Sequence, residues 1–195
     1  MIDPELRLAR RERLLSAMEA TEAEAVAIVP GANFYYLTGA NFHLMERPTV
    51  LFVTRSGAMH AVVPELERAR WAASAPEVET AYWQDSDGYA DAFAAVAARL
   101  NASRIGVEGQ RMRVFEANAI RQAFRDTPVI DAHAAISRMR LYKDEAEIAA
   151  IERAIAISEA ALADTLAATV AGMSERAVRG VLMAAMLEHG ADGAA

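Results

Sequence analysis

The chain has 195 residues, 54% of them hydrophobic and 24% charged, with a formal net charge of −7 and no cysteine. That is enough apolar material for one core plus part of a second, and it excludes disorder as the general state. The acidic balance argues against a nucleic-acid partner, and the lack of cysteine rules out disulfides and thiolate metal sites.

In chain order, Asp3 and Pro4 suit the N-cap and first turn of a helix, which Leu6, Leu14 and Met18 continue at near-helical spacing to about Ala20. The basic run Arg10-Arg11-Glu12-Arg13 reads as the solvated face of that helix. Ala25 to Val29 is an apolar run stopped by Pro30-Gly31, a buried strand and its turn. Phe34 to Leu37 forms an aromatic run closed by Thr38-Gly39. Thr49–Val53 and Met59–Val63, around Arg55-Ser56-Gly57, predict a β-hairpin. A helix from Glu65 to about Ala73 and a strand from Val78 to Trp83 follow. Next come a helix capped by Asp87 and running to Leu100, and a strand from Arg104 to Glu108. A helix over Val114–Phe124 and a strand at Val129-Ile130 complete the series. This interleaving predicts an α/β layer architecture on a mixed sheet.

Beyond about Ala132 the strand pattern stops. Asp144 with Glu147 makes an acidic capping box, and Ile148, Ile151, Ile155, Leu162 and Leu166 mark one face of a long helix. Ser174 caps a second helix, patterned by Val178, Val181, Leu182, Ala185 and Met186. Their apolar faces call for further elements to cover them, so the chain reads as the N-terminal portion of something longer.

Little in the sequence looks like a complete catalytic site. His43, His60, His133 and His189 are far apart, form no metal-binding helix pair, and read as structural or exposed. Asp85, Asp87 and Asp91 read as helix capping and helix-start charge rather than as a metal site. Glu145, Glu147 and Glu152 suit the start and wet face of a helix. No phosphate loop, serine elbow or cysteine nucleophile is present. The segment that stands out is Asn33-Phe34-Tyr35-Tyr36-Leu37-Thr38-Gly39, with Phe42, His43, Glu46, Arg47 and Pro48 in the irregular stretch after it, where function tends to reside.

That segment resembles the "N-x-x-Y-L-T-G" signature of the N-terminal domain of creatinases, prolidases and Xaa-Pro aminopeptidases. Ile105-Gly106-Val107-Glu108 is similar to the "IGVE" strand of the same domain. Arg140 to Ile148 resembles the start of the family's "pita-bread" catalytic domain, and Gly172-Met173-Ser174-Glu175 its next helix start. The four blocks stand in the family's order and span nearly the whole chain.

The resemblance implies a three-layer creatinase N-terminal-like α/β domain over residues 1–137. Residues 138–195 would then be the first two helices of an incomplete α+β pita-bread domain. For the full-length protein it implies a metal-dependent Xaa-Pro dipeptidase or aminopeptidase with two divalent ions (Mn, Co or Zn), held by two Asp, one His and two Glu beyond these helices. No catalytic residue and no metal ligand is assigned to this chain, Asp192 included, and the chain alone is expected to be inactive. A homodimer and a small peptide substrate are the implied partners, with Phe42, His43 and Arg47 lining the neighbour's active-site mouth and Arg47 offering a bidentate carboxylate contact. A creatinase-like amidinohydrolase, another C–N hydrolase or lyase on this scaffold, and a non-catalytic dimerisation or binding module remain as alternatives. The N-terminus lacks a signal-peptide layout and no stretch reaches the roughly 18 apolar residues of a membrane span, so a cytoplasmic location is expected.

Overall fold

The computed structural model describes residues 4–125 and 127–193. The chain divides into two compact units, Met1–Leu141 and Tyr142–Ala195. The division falls a few residues beyond Ser137, because α6 (His133–Arg138) keeps Ile136 and Met139 in the core of the first unit.

The first unit is built on six strands: β1 (Ala25–Ile28), β2 (Val50–Thr54), β3 (Met59–Pro64), β4 (Glu79–Trp83), β5 (Ile105–Val107) and β6 (Val129–Asp131). They lie in the order β4-β3-β2-β1-β5-β6. β1–β2 and β2–β3 pair antiparallel, whereas β3–β4, β1–β5 and β5–β6 are parallel, which makes the sheet mixed.

Period-two alternation sends the strand side chains to two cores. Val26, Ile28, Leu51, Val53, Ala61 and Val63 face α1 (Pro4–Met18), α2 (Ala32–Thr38), α3 (Arg68–Ser74) and α6 through Leu14, Phe34, Trp71 and Ile136. Ala25, Ala27, Val50, Phe52 and Val62 face α4 (Ala90–Leu100) and α5 (Val114–Ala123) through Phe93, Val96 and Ile120. Helices therefore cover both sheet faces, the three-layer arrangement expected.

Several local readings change. The aromatic run Phe34–Leu37 is helical: it lies in α2, which ends at Gly39 with φ 74, a left-handed conformation that glycine adopts at least cost. The helix expected from Glu65 begins as a 3-10 turn, Glu65–Glu67, before α3. Asp87 does not cap α4, which starts at Ala90 with Tyr89 at the N-cap; Asp87 instead accepts from Ser86 Oγ at 2.9 Å. Arg10 is buried rather than solvated, its guanidinium 4.2 Å over the Tyr36 ring. Asp3, expected as the first N-cap, lies outside the described residues.

The second unit is a helix pair, α7 (Glu145–Ala168) and α8 (Glu175–Glu188). Both halves of the capping box form: Glu147 N donates to Asp144 Oδ1 at 2.8 Å, and Asp144 N donates to Glu147 Oε2 at 3.1 Å. Ser174 caps α8 by accepting from Ala177 N. Ile148, Ile151, Ile155, Leu162 and Leu166 stand about half exposed or more. Among the described residues, no helix is long and apolar enough to cross a membrane.

Candidate functional site

The stretch from Ala40 to Thr49 has no regular structure, yet side chains from three elements hold its backbone. Arg70 of α3 donates to Asn41 O at 2.6 Å, Arg113 at the start of α5 to Met45 O at 2.7 Å, and Trp83 of β4 to Pro48 O at 3.2 Å. Arg113 is itself fixed by Glu116, a carboxylate with no exposed surface, to which its Nε donates at 2.9 and 3.1 Å. Each bond satisfies a carbonyl that a loop would otherwise leave to water, so the loop is ordered in advance.

This loop forms one wall of a cavity of about 330 Å³ that brings Phe42, His43 and Arg47 together with Leu66, Glu67 and Arg70. Phe42 is the floor. It is 6% exposed and packs on Phe34 and Trp71, with ring centroids 6.1 and 6.0 Å away. Arg70 lies 5.0 Å over its ring. His43 is exposed. Arg47 is engaged already: its Nε and Nη2 reach Asp85 at 2.9 and 2.7 Å, and its Nη1 reaches Glu46 at 2.8 Å. Its bidentate edge is thus turned to a carboxylate of its own chain. That partner holds Asp85 below the usual aspartate range, the hydrogen bond from Arg47 being the main cause.

The remaining candidates are dispersed. Asp91 sits in the first turn of α4, where negative charge suits the helix dipole. His60 Nδ1 lies 3.2 Å from Glu79, His133 Nε2 3.1 Å from Ser137 Oγ, and His189 Nε2 2.7 Å from Asp164. Among the described residues, no group of three or more His, Cys, Asp or Glu could hold a metal ion. These described residues therefore do not fit a metal centre.

A second polar cluster joins residues from the three blocks that contain Asn33, Glu108 and Arg140. Asn33 Nδ2 donates to Glu108 Oε1 at 2.6 Å, and Arg140 Nη1 donates to Asn33 Oδ1 at 3.1 Å. The cluster sits at the carboxyl ends of the parallel strands β1, β5 and β6, the crevice where open α/β sheets commonly take ligands. Here the protein's own side chains occupy it. Arg111 donates to Pro30 O at 2.8 Å and packs over Gly31, and Asp131 accepts from Gly109 N and His133 N.

Residues 10–142 match the family model described as the creatinase/prolidase N-terminal domain. Probable dipeptidase PepE of Mycobacterium tuberculosis is 29% identical over 187 residues, spanning 93% of this chain and 49% of the relative. The crystal structure of dipeptidase PepE from Mycobacterium ulcerans matches with a TM-score of 0.84 at 27% identity, covering 100% of this chain and 52% of that one. A recombinant prolidase from Thermococcus sibiricus matches with a TM-score of 0.83 at 25% identity, over 99% of this chain and 52% of that one. The chain thus spans about half the length of the curated relatives it matches.

Proposed function

Because this chain belongs to the creatinase/prolidase N-terminal domain family, we propose that it is the N-terminal portion of a metal-dependent dipeptidase or aminopeptidase that cleaves peptide bonds before proline. The observation that carries this reading is the match along the whole chain to about half of a dipeptidase. Relatives named as dipeptidase and prolidase support the reaction class. The two divalent ions of such an enzyme, and the hydroxide they would activate, belong on this reading to residues outside the present sequence. The 195-residue chain alone is inactive.

The part played by this chain is to shape the substrate mouth across a homodimer. The loop carrying Phe42, His43 and Arg47 supports this role, because its backbone is held in place from α3, α5 and β4. Met45 and Leu66 on the cavity, with Val114 nearby on α5, are 60%, 77% and 75% exposed, an apolar surface suited to a second copy. The reading is tested with the full-length protein, loaded with manganese, cobalt or zinc and given Xaa-Pro dipeptides. Metal-dependent turnover that the 195-residue chain lacks supports it. Turnover by the 195-residue chain, or none by the metal-loaded full-length protein, overturns it.

A further inference from the structure

Of the charged side chains on the cavity wall, some are matched within the chain and some are not. Arg47 is taken by Asp85 and Glu46, and on the turn before α3 Glu65 is taken by Arg68, whose Nη2 donates to it at 2.7 Å. Arg70 differs. Its Nη2 donates to Asn41 O at 2.6 Å and its guanidinium lies 5.0 Å over the Phe42 ring, but among the described residues no carboxylate pairs with it. Glu67, at the N-cap of α3 on the same cavity, makes no side-chain hydrogen bond or ion pair among the described residues. An unpaired cation and an unpaired anion therefore line one cavity of about 330 Å³, within the range of small-molecule sites, about 300–1,000 Å³. The rest of that wall includes buried Phe42 and Pro64 and exposed Leu66, all apolar.

This combination is the complement of a small zwitterion with an apolar body. We infer that Arg70, rather than Arg47, is the specificity-determining residue of the cavity and takes the carboxylate of a small zwitterionic peptide. Glu67 takes the ammonium of that peptide, and Phe42 and Leu66 its apolar part. Arg47 would have to leave Asp85 to meet a ligand, whereas Arg70 has only water to give up. A guanidinium on a carboxylate makes charge-assisted hydrogen bonds, stronger than those between neutral groups. The bond to Asn41 O and the ring beneath the guanidinium hold Arg70 in place, so less side-chain freedom is lost on binding. The choice of a peptide as ligand rests on the peptidase reading. Binding is measured rather than turnover, so the two can fail separately.

The test is calorimetric titration of the 195-residue chain with the dipeptide Ala-Pro, its C-terminal amide and its N-acetyl derivative. Wild type is expected to bind Ala-Pro about tenfold more tightly than the amide, and Arg70→Met to bind the two alike. Arg70→Lys, which keeps the charge without the fork, should retain part of the difference. Loosening of the loop through the lost Asn41 bond would weaken acid and amide equally, so it cannot imitate this result. No binding of Ala-Pro by wild type, equal affinity for acid and amide, or a preference that survives in Arg70→Met would overturn the assignment. Glu67→Gln should bind Ala-Pro and its N-acetyl derivative alike, and a preference retained there overturns the ammonium contact. Should Arg70→Met fail to fold, the Nε–H resonance of Arg70 in the wild-type chain decides. A shift with Ala-Pro that the amide does not produce supports the inference, and the same response to both defeats it.

Discussion

Arg47, on the cavity wall, closes its guanidinium on Asp85 at 2.9 and 2.7 Å, a residue 38 positions further along the chain. The pair ties the loop to the segment just after β4, and Glu46 takes the remaining edge of the fork. Arg47 therefore orients the loop before any ligand arrives. On the proposed reading, Arg47→Ala in the full-length protein should raise KM for dipeptides about fivefold with kcat little changed, because the loss falls on ground-state and transition state alike. Steady-state kinetics with and without the substitution check this. Asp85→Asn should raise KM in the same direction by freeing the loop.

The Arg47–Asp85 pair also sets a pH expectation. Asp85 is held below its ordinary range, so its contribution is present above the unfolded value and disappears only as pH falls through the depressed native value. The loop should keep its wild-type exchange behaviour at mildly acidic pH and loosen only in strong acid. Solvent screening keeps the effect on global stability small.

Gly31 adopts φ 156 and ψ −164, and a Cβ there would lie 2.1 Å from Arg111 Nε. That backbone region belongs almost wholly to glycine. Gly31→Ala should lower stability by about 2 kcal/mol or more, measured by denaturant unfolding. In a double-mutant cycle with Arg111→Ala, part of that loss should return, because the second change removes the clash but not the strain.

The aromatic floor is a stability element as well as a wall. Trp71 has no exposed surface, lies 5.5 Å from Phe34, and donates from Nε1 to Thr80 Oγ1 at 2.7 Å. Trp71→Ala should cost about 3–5 kcal/mol. Trp71→Phe should cost less, keeping the ring while leaving Thr80 without its donor. Chemical denaturation of the two variants ranks them.

Much of this fold is written in local pattern. β1, the β2–β3 hairpin and the caps of α7 and α8 follow from alternation, turn residues and capping chemistry, and they form as those rules dictate. The aromatic run was harder to read, because four consecutive large residues carry no period. The signal that could have identified a helix is its bracketing by Gly31 and Gly39, which are its N-cap and left-handed C-cap. α6 is six residues long, too short to announce itself. Asp87 looked like a cap, but the chain stays in turn until Tyr89 and the helix starts later.

The irregular stretch after α2 was legible as a loop, whereas the pairing of its side chains was not. Phe42, His43 and Arg47 do share one cavity, which the irregular stretch between two ordered elements hinted at. Nothing local could reveal that Arg47 is satisfied by Asp85, that Arg10 lies buried against Tyr36, or that Asn33 meets Glu108 from 75 residues away. Such contacts are products of sheet order, which places β5 beside β1 rather than beside β4.

On the proposed reading this chain is one part of a metal-dependent proline-directed peptidase. The most direct test is to purify the native gene product, count its bound divalent ions and assay it on Xaa-Pro dipeptides. The expected result is a product about twice this length, carrying about two ions per chain and turning over the dipeptide. A native product of this length, free of metal and without turnover, would contradict it.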